Sequence, residues 1–305
     1  MKILVLIVTY NGIKWIDKCL TALRHQGIPL SILVVDNCST DGTLLHIRKF
    51  HPECKIIESD RNLGFGRANN VGLSYAIENN FDYVFLLNQD VYLDSSCLKT
   101  LTHLHQKNQN YGVISPFQLN GVGNDYDKNF KIVLNNANLP IYLKATSSFQ
   151  QELYPVNFVM AAMWLVSSEC LKKVGFFDTI FSHYGEDNDY ANRAKFHGFE
   201  IAITPLTSGR HDREFRNNSS VKDLNIRYAG ILSEIANINK SPLRILGEVT
   251  LTFLKLVTKA IISLNLELIK KNFALMYSLI KQIPAISKVR ADNAKGLSGL
   301  SAAKS

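Results

Sequence analysis

Three carboxylates that lie far apart along the chain, Asp36, Asp90 and Asp187, could act together on a phosphate-containing substrate. A carboxylate that binds a divalent metal neutralises a departing diphosphate. A second carboxylate can remove the proton from an attacking hydroxyl. We expect Asp90 to hold the metal and Asp187 to act as the base. Glu186, its neighbour in the acidic segment 186–189, would position the acceptor.

Polar residues at the ends of apolar runs would hold the remainder of a nucleotide. Asp36 ends one such run, and its carboxylate could accept hydrogen bonds from a base or ribose, together with Asp41. Asn88 offers a neutral oxygen to the metal or to the ribose, and Thr9 and Asn11 follow the first apolar run. The ligand that these residue types predict is a sugar nucleotide, and the predicted reaction is transfer of its sugar.

Several of these residues also have an ordinary structural interpretation. Asn88 and Asp90 could cap the next helix, and Asp41 is a common turn residue. Asp189 could be an acid at a helix start without a catalytic part. His211 could complete the metal site through its imidazole or be a structural histidine. Charged neighbours of this histidine, which favour an anion-facing loop, are Arg210, Asp212, Arg213 and Arg216.

The elements that must position these residues alternate between strand and helix. Apolar runs that end in polar loops predict strands at 3–10, 31–36, 55–58, 82–88, 111–117 and 199–205. Helical spacing fills most of the intervals, which predicts an α/β fold with a mostly parallel, Rossmann-like sheet covered by helices. Ligands of such sheets bind at the carboxyl ends of the strands, so the polar residues should meet at one edge.

The chain divides into three expected regions. A catalytic domain would span 1–216, with an irregular lid or binding loop at 118–153. Helices without strands would follow at 217–287. Within them, 243–283 carry an apolar stripe and six basic against two acidic side chains. This pattern suits peripheral contact with an anionic membrane, or packing on the catalytic domain or on a second copy. Residues 288–305 are expected to be a disordered tail.

The bulk composition is that of a folded protein with phosphate-rich partners. The chain has 305 residues and 46% hydrophobic content, enough for a substantial core. Its net charge of +8 suits a nucleotide or an anionic membrane, and we do not expect nucleic acid as a partner. Five widely spaced cysteines indicate neither a disulfide framework nor a zinc site, which favours a reducing, cytoplasmic compartment. The apolar N-terminus predicts a strand rather than a signal peptide, and no uncharged apolar run approaches the roughly 20 residues of a membrane span.

Four motifs occur in order along the first two thirds of the chain. They lie at Val8–Asn11, Val34–Thr43, Asn62–Gly66 with Asn69 and Asn70, and Gly185–Asp189 with Arg193. This set resembles the family 2 glycosyltransferases, in particular the rhamnosyltransferase-like branch of bacterial polysaccharide assembly. The resemblance runs from Lys2 to about His211. It departs from the family at Asn88, where the metal motif usually has an aspartate.

The resemblance implies a GT-A fold, inversion at the anomeric carbon, and Mg²⁺ or Mn²⁺ as cofactor. By motif position Asp36 would bind the nucleobase, Asp90 the metal with His211 as a late ligand, and Asp187 would be the base. Further substrate-binding residues would be Thr9, Asn11, Asp41, Asn62, Gly64, Asn69, Asn88, Glu186 and Arg193. The implied donor is dTDP-rhamnose or a UDP-hexose, and the implied acceptor is a hydroxyl of a glycan or a lipid-linked saccharide.

Two other functions use the same residue types. A nucleotidyltransferase would also need a metal and a nucleotide, but it would form a phosphodiester and release pyrophosphate. A sugar-nucleotide-binding protein would hold the same ligand without turnover. The products formed from labelled nucleotide sugars separate these functions from sugar transfer.

Overall fold

Strands and helices alternate along most of the chain. A computed structural model describes residues 1–142, 149–213 and 220–296, with side chains from residue 225 onward in the last range. In chain order the described elements are β1 (Ile3–Thr9), α1 (Ile16–Leu23), β2 (Ser31–Asp36), α2 (Thr43–Phe50), β3 (Lys55–Glu58), α3 (Phe65–Glu78), β4 (Tyr83–Asn88), β5 (Val91–Leu93), α4 (Cys97–Lys107), β6 (Tyr111–Asn120), α5 (Lys128–Asn136), β7 (Tyr154–Pro155), β8 (Met163–Ser167), α6 (Ser168–Val174), α7 (Glu186–Phe196), β9 (Glu200–His211), α8 (Ser220–Ala236), α9 (Pro242–Ile262) and α10 (Leu266–Ala294).

The described strands form one mixed sheet in the order β3-β2-β1-β4-β8-β6-β9-β5, with β7 also paired to β9. Strands β1 to β4 pair in parallel. Strand β8 runs antiparallel to β4 and β6, and β6 pairs in parallel with β9. The short β5 lies antiparallel to the end of β9. This arrangement agrees with the predicted α/β class.

Both faces of the sheet are covered, which explains the continuous apolar runs of its central strands. Successive residues of β1 alternate between the two faces. Leu4 and Leu6 belong to the core cluster that includes Leu73 of α3 and residues of α5, α6 and α7. Val5 and Ile7 belong to the opposite cluster, with residues of α1, α2 and α4. The sheet therefore separates two hydrophobic layers.

Two elements near the candidate site were not predicted. Helix α5 lies inside 118–153, the segment expected to be irregular. Its N-cap is Asp127, whose carboxylate accepts hydrogen bonds from the amides of Asn129 and Phe130 at 2.9 and 3.2 Å. Strand β5 follows Asp90 directly. Each of the two elements is short, and such short segments carry too few residues for a clear periodic pattern.

The C-terminal helices form a small hydrophobic core with residues that precede α7. Phe181 packs in this cluster with Leu232 of α8 and with Leu275 and Leu279 of α10. Among the described helices, none combines the length and the apolar character needed to cross a bilayer. The predicted boundary between 216 and 217 lies outside the described residues.

Helix α10 continues to Ala294, so the expected disorder from residue 288 is wrong over the last part of this helix. The reason is a set of buried polar contacts near its end. Asn293 is fully buried, and its Nδ2 donates to Asp178 Oδ2 at 3.2 Å. His197 Nε2 donates to the Asn293 carbonyl at 2.8 Å. Residues 297–305, the rest of the expected tail, lie outside the described residues.

Candidate active site

The carboxyl ends of three neighbouring strands bring several predicted residues to one edge of the sheet. In the parallel ladders Thr9 pairs with Asp36, and the residue before Thr9 pairs with Asn88. Asp90 lies two residues further on, immediately before β5. A strand and not a helix begins at Val91, so the helix-capping interpretation of Asp90 is wrong.

Asp36 is buried at this edge and has one carboxylate oxygen without a partner. Its Oδ2 accepts a hydrogen bond from the amide of Ser39 at 3.0 Å. Its Oδ1 has no hydrogen-bond partner among the described residues, although the residue is only 3% exposed. A buried acceptor of this kind destabilises the protein unless a ligand or water supplies a donor. The oxygen is suited to the nucleobase or ribose contact predicted for Asp36.

Asn11 and Asp41 hold the two loops beside Asp36 together. Asn11 donates its amide to Ser39 Oγ at 3.0 Å, and its side-chain oxygen accepts from the Thr40 amide at 2.8 Å. Asp41 accepts from the amide of Ile13 at 3.1 Å with one oxygen and from Thr43 with the other. Both Asp41 oxygens are thus already engaged, which favours its turn interpretation over a contact with substrate.

Gln89 fixes the first of these loops, and the sequence reasoning did not single it out. Its Oε1 accepts from the Thr9 hydroxyl at 2.6 Å and from the Tyr10 amide at 3.0 Å, and its Nε2 donates to the Tyr10 carbonyl at 3.2 Å. A Cβ at Gly12 would lie 2.2 Å from Gln89 Oε1, so a larger residue there would displace the Gln89 side chain from this loop. Thr9 is fully buried and its hydroxyl donates to Gln89, which favours a role in holding the loop over direct contact with a ligand. The sequence feature that could have indicated a role for Gln89 is its position between Asn88 and Asp90.

Asn62, Gly64 and Asn69 support the loop before α3. Asn62 Oδ1 accepts from Asn37 Nδ2 and from the Gly64 amide, both at 2.9 Å. Gly64 has a φ of +80°, and a Cβ there would lie 2.7 Å from the Ser182 carbonyl. Asn69 is buried and donates to the Phe65 carbonyl of its own helix. Asn62 thus joins this loop to Asn37 after β2, Gly64 permits the close approach of the Ser182 carbonyl, and Asn69 stabilises its own helix.

Asp90 and His211 meet at the opposite end of the site. His211 Nε2 lies 3.2 Å from Asp90 Oδ1. The β5–β9 pair causes this contact, because it places Val91 opposite His211, and the Asp212 amide donates to the Asp90 carbonyl at 2.8 Å. His211 is almost fully buried, whereas 22% of the Asp90 side chain is exposed. The two residues predicted to share a metal are therefore neighbours.

Arg213 connects this pair to other charged groups of the site. Its Nε donates to His211 Nδ1 at 3.2 Å and lies 3.1 Å from Asp127 Oδ2. When Nδ1 accepts this bond, the proton of a neutral His211 is on Nε2 and points at Asp90. Binding of a metal by Nε2 therefore requires His211 to change tautomer and Arg213 to release Nδ1. Sequence reasoning mentioned Arg213 only as a charged neighbour of His211.

Glu186 and Asp187 are the first two residues of helix α7. Burial raises the pKa of Asp187, although the amides of Asn188 and Ala161 and the charge of Arg213 act in the opposite direction. The residue after Ala161 accepts a hydrogen bond from the Asn88 amide at 3.0 Å. Asp187 is therefore adjacent to the end of β4 and close enough to Arg213 to feel its charge. This arrangement agrees with the predicted meeting of Asp187 with the Asp90 end of the site.

Glu186 has the properties of a proton-exchanging group. Burial, and then the charge of Asp187, raise the pKa of Glu186 to about 7. Its Oε2 has no hydrogen-bond partner among the described residues, and the residue is only 5% exposed. Glu186 lies against the start of α3, since a Cβ added at Gly66 would be 3.6 Å from the Cβ of Glu186.

Arg193 cannot contact a substrate as expected, because its side chain is completely buried beneath α7. Its Nε donates to Asp189 Oδ2 at 2.7 Å, and its two Nη atoms donate to the carbonyls of Val174 and Phe176 at 3.0 and 2.8 Å. Asp189 is equally buried. The structural interpretation of Asp189 is therefore favoured, and Arg193 shares this role. The pair anchors the helix that carries Asp187 and Glu186.

These contacts define an α/β protein whose sheet carries, at its carboxyl edge, a buried carboxylate oxygen of Asp36 and the Asp90–His211 pair. Residues 4–175 match the family model described as Glycosyl transferase family 2. The match covers more than half of the chain, which belongs to this family. The predicted family is confirmed.

Two curated relatives are similar over a little less than two thirds of the chain. The low-salt glycan biosynthesis hexosyltransferase Agl10 of Haloferax volcanii is 25% identical over 201 residues, which cover 62% of this chain and 61% of that protein. The dTDP-rhamnosyl transferase RfbF of Shigella flexneri is 25% identical over 204 residues, which cover 65% of each chain. The chain thus spans less than two thirds of the length of these relatives.

Solved structures confirm the GT-A fold. The crystal structure of Staphylococcus aureus TarS in complex with UDP-GlcNAc has a TM-score of 0.63 at 19% identity, covering 97% of this chain and 89% of that one. The mannosyltransferase PcManGT from Pyrobaculum calidifontis, in complex with GDP-Man and Mn²⁺, has a TM-score of 0.55 at 17% identity, covering 99% and 86%. At these identities the likeness shows the fold alone.

Proposed function

We propose that this protein is an inverting glycosyltransferase that moves a sugar from a nucleotide-diphosphate donor to a hydroxyl of its acceptor. The observation that carries the proposal is the contact of Asp90 with His211 at the carboxyl edge of the sheet, with Asp187 beside the end of β4 through the segment of Ala161 and Ala162. Asp36, with its unpartnered oxygen, lies along the same sheet edge. Such a transfer needs three parts: residues that bind a metal, a carboxylate that acts as general base, and residues that bind the nucleotide.

Asp90 and His211 would hold Mg²⁺ or Mn²⁺. One oxygen and one nitrogen at 3.2 Å from each other form an incomplete set of ligands, which fits ions that keep waters and bind phosphate oxygens in the remaining positions. Asn88 is at the end of β4, where the family usually has an acid, and it adds no negative charge. When bound, the metal would neutralise charge on the departing diphosphate.

The residues of the chain supply the remaining steps. Asp36 would accept a hydrogen bond from the nucleotide, and the loop held by Gln89 would orient it. Asp187 would accept the proton from the acceptor hydroxyl as that oxygen attacks the anomeric carbon and the bond from this carbon to the diphosphate breaks. Its raised pKa makes Asp187 a stronger base than an exposed carboxylate. Glu186, with a pKa of about 7, would bind the acceptor beside it.

The donor we propose is dTDP-rhamnose or a UDP-hexose, and the acceptor is a glycan or a lipid-linked saccharide of a surface polysaccharide. Support comes from relatives named a dTDP-rhamnosyl transferase and an N-acetylglucosaminyl-diphospho-decaprenol L-rhamnosyltransferase. A solved neighbour binds UDP-GlcNAc. These names concern other proteins of the family, so the choice of sugar depends on experiment.

A panel of labelled nucleotide sugars with Mg²⁺ or Mn²⁺ tests the reaction. Sugar transferred to a saccharide acceptor together with free nucleoside diphosphate supports the proposal. Release of pyrophosphate would identify a nucleotidyltransferase. Saturable binding of every donor tested, without turnover in the presence of acceptor, would identify a sugar-nucleotide-binding protein. Either of the last two results would overturn glycosyl transfer.

We also propose that the α9–α10 hairpin rests on an anionic membrane, which would place the enzyme near a lipid-linked acceptor. The turn of the hairpin exposes three large apolar side chains, Ile262 at 78%, Leu264 at 89% and Leu266 at 73%. Further exposed apolar residues line both helices: Leu243, Leu246, Leu251, Leu254, Ile261, Phe273, Tyr277, Ile280 and Ile283. Lys255 and Lys259 lie nearby without an acidic partner among the described residues. An exposed apolar surface beside lysines is typical of helices that lie in a membrane interface.

Cosedimentation with vesicles tests this contact. The full-length protein should bind vesicles that contain anionic lipid more strongly than neutral ones. Leu264→Asp should weaken that binding about tenfold, because it replaces an exposed leucine that would enter the lipid with a charge. Leu45→Asp is a matched control, because Leu45 is 71% exposed on α2. Equal loss in both variants would contradict the proposal. So would a stable dimer of the wild-type protein that Leu264→Asp dissociates, since a second copy would then cover this surface.

A further inference from the structure

A second group of metal-binding residue types lies outside the candidate active site. His46 within α2 and His51 just after it both face Asp17 on α1. Their Nε2 atoms lie 3.1 and 3.0 Å from the same Asp17 Oδ1. The three potential ligand atoms all lie within 4.8 Å of one another. Sequence reasoning missed this group because Asp17 and His46 are 29 positions apart, on two different helices.

The donor set indicates a borderline transition metal rather than Mg²⁺. Two imidazole nitrogens and one carboxylate oxygen are ligands of Zn²⁺, which binds them at about 2.0–2.2 Å and accepts water in a fourth position. Small movements of the side chains would bring all three atoms to that distance from one ion. The Asp17 side chain is 56% exposed, so that an ion and a water molecule can enter from solvent.

His51 is held in the orientation that a ligand needs. Its side chain is 1% exposed, and its Nε2 points at Asp17. On the other side of the ring, Nδ1 lies 3.7 Å from Glu53 Oε1 and 3.5 Å from Arg24 Nη2. Arg24 also pairs with Glu53 at 3.3 Å. Because the Arg24 guanidinium can only donate, its contact favours the tautomer with the proton on Nε2. Binding of a metal by Nε2 would require the proton on Nδ1, where the nearby Glu53 carboxylate could accept it and hold the ring.

An ion at this position would join the helices behind the two nucleotide-binding loops. Helix α1 follows the loop of Gly12 and Ile13, and α2 follows the loop of Asp41 and Thr43. The loops already contact each other, since the Gly12 amide donates to Thr43 Oγ1 at 2.9 Å and the Ile13 amide to Asp41 Oδ2 at 3.1 Å. Fixing one helix against the other would limit relative movement of these loops.

We propose that Asp17, His46 and His51 form a structural site for Zn²⁺ or a similar transition metal that joins α1 to α2. The site is separate from the Asp90–His211 pair and does not depend on the reaction that the protein catalyses. Its occupancy is a property of the folded chain and can be measured without substrate.

Cobalt spectroscopy on the chelator-treated full-length protein tests the site, because Co²⁺ bound by nitrogen and oxygen in a four-coordinate site absorbs visible light strongly. The wild type should bind one Co²⁺ per chain with such a band. His46→Gln and Asp17→Asn should each weaken this binding by about 100-fold or more, since loss of a ligand should exceed the 10–100-fold effect of losing a supporting group. His103→Gln removes an exposed histidine of α4, outside this group, and should change nothing.

Asp90→Asn separates this site from the candidate active site and should leave the cobalt band intact. Zn²⁺ should also raise the melting temperature of the wild type and of His103→Gln, but not that of His46→Gln or Asp17→Asn. The proposal is overturned by a band that survives in both ligand variants, by a band that disappears in Asp90→Asn, or by wild-type binding that occurs only at millimolar metal.

Discussion

The two ends of the candidate site are held together by different interactions. Around Asp36 the loops are joined by contacts of neutral side chains, such as those of Gln89 with Thr9 and Tyr10, and by the Asp41 carboxylate, which accepts from backbone amides and pairs with no cationic side chain among the described residues. At the opposite end the contacts are between charged or titratable groups, with Arg213 shared by His211 and Asp127.

This difference suggests a division of work. Neutral hydrogen bonds do not change with pH near neutrality, so the Asp36 end should keep its shape across conditions. The opposite end contains His211, Asp187 and Glu186, whose protonation or tautomer must change during metal binding or proton transfer. We expect the two ends to respond differently to mutation and to pH, and each prediction below tests that expectation.

The largest effect is expected for Asp187→Asn, which removes the proposed base and keeps the size of the side chain. Transfer should fall by about 10²–10⁴-fold, while donor affinity should change little. Single-turnover kinetics and donor titration measure the two quantities separately. Normal turnover in this variant would exclude Asp187 as the base.

Arg193→Met should lower the stability of the protein by breaking the buried ion pair that anchors α7, the helix of Asp187 and Glu186. It leaves the fully buried Asp189 without its ion partner and removes donors from the carbonyls of Val174 and Phe176. Breaking a buried pair by removing one partner costs about 3–5 kcal/mol of unfolding free energy. Urea denaturation measures this loss. Lys195→Met, on the same helix, is the control and should change stability much less.

Glu186 predicts a pH dependence that the Asp36 end should lack. Its pKa rises from 4.5 to about 7 in the folded protein, so between these values the folded state binds more protons than the unfolded state. The unfolding free energy should therefore fall as pH rises through this window, by at most about 1.4 kcal/mol per pH unit from this group. Glu186→Gln should flatten the curve of unfolding free energy against pH. An unchanged slope would contradict the assignment.

Gln89→Leu should have the smallest effect, and it should be confined to donor binding. The variant loses hydrogen bonds to Thr9 and Tyr10, each worth roughly 1 kcal/mol. We expect about a tenfold rise in KM for the donor, a smaller change in kcat and no change in the pH profile. A shifted pH profile would show that the neutral and charged ends are coupled.

Much of the neutral end could be predicted from the sequence because it follows from strand order. Asp36 and Asn88 end apolar runs, and parallel pairing brings such ends to one edge. The same reasoning could not tell which polar side chains face a ligand. Thr9 and Arg193 have ligand-binding residue types, but they are buried by contacts with Gln89 and Asp189.

The charged end depends on pairings that a local pattern does not contain. His211 reaches Asp90 because the short strand β5 pairs with the far end of β9. The predicted strand ended at 205, since the following Thr, Ser and Gly residues do not form an apolar run. Arg213 was therefore placed in a loop, and its contact with Asp127 depends on helix α5, which the sequence did not reveal.

The most direct test is a crystal structure of the Asp187→Asn variant with Mn²⁺ and the donor identified by the panel of nucleotide sugars. The nucleobase or ribose should contact Asp36, the diphosphate should lie at Asp90 and His211, and the anomeric carbon should face residue 187. The account would be contradicted by a donor bound elsewhere, for example in the 490 Å³ cavity lined by Asn129, Val133, Phe158 and Lys195.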